Sequence, residues 1–220
     1  MSGSDETKQL NFSQQRKIFE PKYAKPITVL GAGSVGSWVV VMLSKLGIKK
    51  ITVYDGDAIE SHNIPPSAYG ISDLGMFKVF ALRELALRQS GTEINAIPRM
   101  YVGEQLRDSV IACVDSMEAR QKIWNEVKGN PLVDVFIDTR VAAELVSVFA
   151  VNPCNPEDVA YYEHFMYPTE QAVHLMCGMH GIVYGSTRAA GIACANLTNL
   201  WQYGKKNLHF KELVRTLEVC

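Results

Sequence analysis

Short β-branched runs alternating with apolar helical stretches predict an α/β protein. The expected fold is a doubly wound, Rossmann-like, mostly parallel sheet with one or more C-terminal antiparallel strands and an irregular insertion. Three observations carry this expectation. Residues 27–30 (ITVL) run into a glycine-rich turn and then a helical pattern. Strand-type and helix-type segments keep alternating as far as Asp138. Past Arg140 that alternation stops.

The first 24 residues are polar apart from an amphipathic stretch at 12–19, and are expected to form an arm or short helix. Residues 25–220 are expected to form a single nucleotide-binding domain. Residues 34–46 are apolar all round without proline, which reads as a core helix closed by Gly47. A β-branched run returns at 50–54, giving a βαβ unit whose two strands should lie parallel. An amphipathic helix is expected over 73–88, with Asp73 as its cap. Further strands are read at 94–98, 109–114 and 134–138, and a helix at 116–127. Beyond Arg140, residues 144–151 alternate as a half-exposed strand. A Pro/Asn-rich turn and a loop rich in Tyr, His and Met lead to a small-residue helix at 187–203.

Bulk properties narrow the function. The 220 residues are 47% hydrophobic with a net charge of −1, enough for one substantial core and unlike the basic face of a nucleic-acid binder. No apolar run is long enough to cross a bilayer, and the polar first residues lack a signal-peptide core, so a cytoplasmic protein is expected. Five scattered cysteines contain no C-x-x-C pair, which argues against a disulfide framework and a zinc knuckle. Cys177 and His180 make two potential ligands without a second pair, so no zinc is expected.

Gly31-Ala-Gly33-Ser-Val-Gly36 matches G-x-G-x-x-G between a predicted strand and helix. Gly31 permits the tight turn, Gly33 lets a phosphate approach the backbone, and Gly36 lets the helix pack close. Free N–H groups and the positive dipole end at the helix start suit an anion. Asp55 ends the next strand roughly 20 residues past the last glycine, in the place of a carboxylate that binds ribose hydroxyls. Asp57 follows in the same acidic stretch.

The run D-G-D-A-I-E-S-H-N from Asp55, then D-L-G-M-F-K at 73–78 and C-V-D-S-M-E-A-R at 113–120, resembles the ThiF/MoeB-like family, the adenylating core shared with ubiquitin-activating enzymes. The resemblance extends from about Phe12 to Tyr203, with its specific motifs in 27–120. It implies an adenylyltransferase that uses ATP and Mg2+ to activate a carboxylate as an acyl-adenylate, releasing pyrophosphate. The partner it implies is the C-terminus of a ubiquitin-like or sulfur-carrier protein or of a peptide, and the assembly a homodimer. Carried over position by position, Asp55 holds the ribose, Asn63 contacts the phosphate region, Lys78 neutralises phosphate charge and Asp115 holds magnesium. Surface lysine and helix N-cap are the plainer readings of Lys78 and Asp115.

Two departures bear on activity. Where the family carries N-L-x-R-Q this chain reads Asn63-Ile-Pro-Pro-Ser67, so Pro66 replaces an arginine. The N-terminal R-Y-S-R-Q-like motif, whose arginine reaches across the dimer, reads Asn11-Phe-Ser-Gln-Gln15, so Gln14 stands in for that residue, with Arg16 just beyond. Arg140, emerging from the 134–138 strand, is the candidate replacement cation; an ion pair with Asp138 or Glu144 is its structural alternative. Cys177, near His174 and His180, is a candidate nucleophile, and burial is its structural alternative. Aromatic residues Tyr161, Tyr162, Phe165 and Tyr167 form either core or a groove for a partner's tail. Three readings therefore stand: an adenylating enzyme, a degenerate binding module of the same fold, and an NAD-dependent oxidoreductase resting on the glycine loop alone.

Overall fold

The computed structural model describes residues 10–142, 145–166, 182–214 and 218–219. Eight strands form one sheet in the order β3-β2-β1-β4-β5-β6-β7-β8. The strands are β1 (Ile27–Leu30), β2 (Ile51–Tyr54), β3 (Asn95–Ile97), β4 (Asp108–Ala112), β5 (Val133–Ala142), β6 (Leu145–Val151), β7 (His209–Leu213) and β8 (Glu218–Val219). The first five are mutually parallel, and β5 through β8 pair antiparallel. The helices are α1 (Ser34–Lys45), α2 (Lys78–Ser90), α3 (Met117–Val127), α4 (Pro156–Glu163) and α5 (Val183–Tyr203). This is the doubly wound, mostly parallel architecture with C-terminal antiparallel strands that the alternation predicts.

Alternating residues of each strand sort the core into two layers. Ile27, Val29 and Val53 face α1, α2 and α5, where they meet Val39, Leu43, Leu82, Ala190 and Leu197. Leu30, Val110 and Phe136 face the other way, towards Trp124 of α3 and Tyr162 of α4. Helix α1 is apolar all round because it lies between the sheet, α2 and α5, and Val39, Val40 and Leu43 are wholly buried. Trp124 sits 4.6 Å from Tyr162, centroid to centroid, and 5.6 Å from Phe136, so the second layer is held by aromatic packing.

Strand order reverses at β1. The chain moves outward through β2 and β3, then returns to place β4 on the other side of β1. Crevices at such reversals, outside the carboxyl ends of the strands, are where open α/β sheets bind ligands. Gly31 follows β1 and Asp115 follows β4, so both stand at that crevice.

Several expected boundaries move. Helix α2 starts at Lys78 rather than Asp73, because Phe77 is extended and bridges to Ala58. Asp73 instead accepts the Gly70 N–H at 2.7 Å and stabilises a preceding 3-10 turn. The Pro/Asn-rich turn continues as α4: Asn155 Oδ1 accepts the Glu157 and Asp158 N–H groups and Pro156 takes the first position. Tyr161 and Tyr162 are therefore helical. Strand β5 runs on to Ala142 because β6 pairs with it from Phe136 to Ala142. Residues 10–24, the described part of the N-terminal arm, form turns and a 3-10 segment (Pro21–Tyr23). Phe19 anchors the arm against Trp201 of α5, with centroids 6.2 Å apart.

Candidate functional site

The glycine loop divides its labour. Gly31 has φ +95°, and a Cβ there would stand 2.6 Å from the Cys113 carbonyl oxygen. At Gly36 a Cβ would lie 2.0 Å from the Gly31 carbonyl oxygen. Both glycines are therefore demanded by the chain's own packing. Gly33 differs: its φ is −75°, it precedes α1 as the N-cap, and a Cβ would meet nothing within 4 Å. Among the described residues no packing contact requires glycine at that position; its backbone, with ψ −148°, lies outside the ordinary helical and extended regions, and the missing Cβ also leaves the loop open to a ligand. Among the described residues no side chain caps α1, so its first N–H groups have no side-chain acceptor there.

Asp55, 5% exposed, lies under this loop at the end of β2. Its Oδ2 accepts the Ala32 N–H at 2.7 Å and its Oδ1 accepts the Asp57 N–H at 2.9 Å. Burial raises its pKa, while those two N–H bonds and Lys78 pull it back. Each carboxylate oxygen has two lone pairs, so both oxygens keep accepting capacity for hydroxyl donors. Lys78, also buried, places Nζ 2.7 Å from Asp57 Oδ2 and 3.9 Å from Asp55 Oδ1. A cation is thus held beside the acidic pair at the first turn of α2. A solvated surface lysine is not what the structure shows.

Tyr69 completes this corner without having been expected. Its hydroxyl donates to the Ala32 carbonyl at 2.5 Å and the residue is 5% exposed, pinning the loop from below. Burial carries its pKa well above the usual phenol value. Its contact with Ala32 joins distant parts of the chain, so no local pattern announces it.

Asn63 ends a 3-10 turn and its Oδ1 accepts the Glu60 N–H at 2.9 Å. Pro66 gives its carbonyl to Trp38 Nε1 at 3.2 Å, tying the 63–67 segment to α1. A proline suits this post because only the carbonyl is used. Asp115 is exposed just beyond β4, with no hydrogen bond or ion pair among the described residues. Ser116 is the cap of α3, its Oγ accepting the Ala119 N–H at 3.1 Å, so Asp115 is free of that duty. Among the described residues no group of three or more His, Cys, Asp or Glu side chains is arranged to hold a metal.

Arg140 adopts its structural alternative. Nε lies 2.7 Å from Asp138 Oδ2, Nη1 donates to the Phe165 carbonyl at 2.8 Å, and the guanidinium stands 4.8 Å from the Phe149 ring centroid. Asp138 is wholly buried and also takes Arg120 Nε at 2.7 Å and the Tyr162 hydroxyl at 3.0 Å. Arg120 is 4% exposed on the inner side of α3. Burial pushes the Cys113 and Cys194 thiols up to about 12, in keeping with structural roles. Cys177, Tyr167, His174 and His180 lie outside the described residues, as does Glu144. Two surface concavities, of about 480 and 450 Å³, involve neither the glycine loop nor Asp55, Asp57 or Lys78.

Comparison with known proteins agrees with this geometry. The ThiF family model matches residues 8–215. Ubiquitin-like modifier-activating enzyme 5 of Caenorhabditis elegans is 29% identical over 117 residues, covering 45% of this chain and 28% of that protein. tRNA threonylcarbamoyladenosine dehydratase 1 of Saccharomyces cerevisiae is 29% identical over 130 residues, 54% of this chain and 30% of that protein. The chain thus spans about three tenths of the length of these relatives. Among solved structures, PaaA superposes with a TM-score of 0.71 at 16% identity, over 91% of this chain and 64% of that one. E. coli MccB with ATP gives 0.68 at 14% identity over the same shares. At such identities these superpositions speak for the fold, and the family match over 8–215 speaks for descent. The chain belongs to the ThiF family.

Proposed function

We propose that this chain binds ATP at the β1–β4 crevice and transfers its adenylyl group to a carboxylate. The observation that carries this reading is the open Gly33 loop set beside buried Asp55 and Lys78 and the exposed Asp57 that Lys78 pairs with. Asp55 accepts the ribose hydroxyls with the lone pairs its two N–H bonds leave over. The N–H groups of α1 and the Gly33 backbone receive phosphate oxygens. Lys78, already desolvated and held in place, exchanges some of its attraction to Asp57 for the more highly charged phosphates.

The acceptor carboxylate attacks the α-phosphorus, the bond to the β-phosphate oxygen breaks, and pyrophosphate leaves. No proton need move, so catalysis amounts to positioning and charge neutralisation. Magnesium would supply positive charge across the phosphates. It commonly binds through one or two carboxylates plus phosphate oxygens, and the exposed Asp115, without a partner among the described residues, suits that use. Names of relatives and structural neighbours point to acceptors on ubiquitin-like proteins, peptides or tRNA, and we take a carboxylate terminus of a protein or peptide as the acceptor here.

A second reading, a nucleotide-binding module without turnover, is favoured by Pro66 and Gln14 at the places of two family arginines. Arg140, engaged with Asp138 and Phe165, would have to leave those partners to reach a phosphate. Isothermal titration with ATP decides the role of Asp115. Asp115→Ala should erase the gain in affinity that magnesium gives while leaving metal-free binding intact. An unchanged magnesium effect would remove Asp115 from the site.

A further inference from the structure

A second cluster with the parts of a nucleophilic site lies on the α4 side of the antiparallel strands. Ser147 Oγ of β6 is 2.8 Å from His209 Nε2 of β7, and His209 Nδ1 is 3.0 Å from the Tyr161 hydroxyl of α4. The imidazole is stacked on Phe149, centroids 4.0 Å apart and planes 13° from parallel, with Phe165 at 5.0 Å. Ring orientation is therefore fixed from two sides. Ser147 stays partly open to solvent and Tyr161 is exposed, so the hydroxyl can be reached.

We infer that Ser147 and His209 form a serine nucleophile and its general base, with Tyr161 as a positioning residue, able to accept an acyl group from an activated ester. A nucleophile and base within hydrogen-bond reach, the base oriented by a third group, is the arrangement such chemistry requires. Donation of the Nδ1 proton to Tyr161 Oη leaves Nε2 to accept the Ser147 proton. Arg140 and Lys211 stand directly across the ladder from Ser147, one on each neighbouring strand, where directly opposed side chains share a face. Lys211 provides a cation for an oxyanion, while Arg140 stays engaged with Asp138 and the Phe165 carbonyl. Burial, Lys211 and Arg140 also lower the His209 pKa, keeping the ring neutral at neutral pH.

The step balances without any oxidant or reductant. Ser147 Oγ bonds to the carbonyl carbon of the ester as its proton passes to His209 Nε2. The bond from that carbon to the leaving oxygen then breaks, and the same proton goes to the leaving oxygen. Water, deprotonated in turn by His209, hydrolyses the serine ester. This site shares no residue with the Asp55–Lys78 cluster and stands whether or not the chain adenylates.

The test is to treat the full chain with a fluorophosphonate probe at neutral pH and map the adduct by peptide mass spectrometry. One adduct on Ser147 is expected, absent in Ser147→Ala and formed about 100-fold or more slowly in His209→Gln. The wild-type rate should fall on acidification with a midpoint below the ordinary imidazole value of about 6.5. Arg140 of β5 and Lys211 of β7 act on that ring, with Tyr161 of α4 and Ser147 of β6 as its hydrogen-bond partners. Tyr161→Phe should slow labelling yet keep a His209-type pH profile. No adduct, an adduct elsewhere, or equal rates in wild type and His209→Gln would reduce Ser147–His209 to a cross-strand hydrogen bond. The position of the adduct and its pH profile are read on the wild type, so those two outcomes do not depend on any variant folding.

Discussion

Three glycines in one loop have three different duties, and substitution separates them. Gly36→Ala places a Cβ 2.0 Å from the Gly31 carbonyl oxygen, so the loop or α1 must move. We expect it to lower stability by about 3 kcal/mol, at the upper end of overpacking costs. Gly33→Ala meets nothing within 4 Å, so its cost is that of the backbone conformation alone, about 1–3 kcal/mol, and it should abolish ATP binding. Thermal denaturation with ATP titration checks both. Retained ATP binding in Gly33→Ala would mean that no phosphate approaches that backbone. The loop and Asp55 are legible from sequence because their spacing is local and tied to the end of a strand. Tyr69 is not: its partner Ala32 lies on another element, and only the folded chain brings them together. Pro66 is legible as a missing cation but not as the carbonyl partner of Trp38.

At the scale of elements, α3, α4 and β5 are joined through one buried carboxylate. Asp138 receives Arg120 from α3, Tyr162 from α4 and Arg140 from its own strand. Asp138→Ala would strand a 4% exposed guanidinium and should cost about 3–5 kcal/mol, readable as the shift in a urea midpoint. A loss under about 1 kcal/mol would show that the arginines find other partners. The same network explains what periodicity misses at this scale. Nothing in the helical pattern of 116–127 marks Arg120 as buried, yet Asp138, Val114 and Thr139 supply its partners inside. Residues 155–158 (NPED) contain proline and asparagine, usual turn residues, but here they cap and open α4. The late start of α2 has a similar source: the bridge from Phe77 to Ala58 outweighs the helical pattern of residues 73–77. Strands β1, β2 and β4 are found to within two residues because apolar β-branched runs in a parallel sheet carry their own signature.

For the molecule as a whole, one sheet carries two chemically distinct regions. The parallel half places the glycine loop, Asp55 and Lys78 at the reversal of strand order, and the antiparallel half places Ser147 and His209 on the α4 face. Fold class follows from the alternation of patterns along the chain, whereas Ser147, His209 and Tyr161 meet only through the β6–β7 pairing and the docking of α4. The function proposed for the parallel half rests on the nucleotide, so the nucleotide is the thing to measure. Equilibrium binding of ATP with and without magnesium, NAD present as competitor, should be run on the wild type and on Asp55→Ala. Binding that magnesium strengthens, that NAD does not displace and that Asp55→Ala abolishes is the expected result. Absence of ATP binding, or displacement of ATP by NAD, would contradict adenylyl transfer at this crevice.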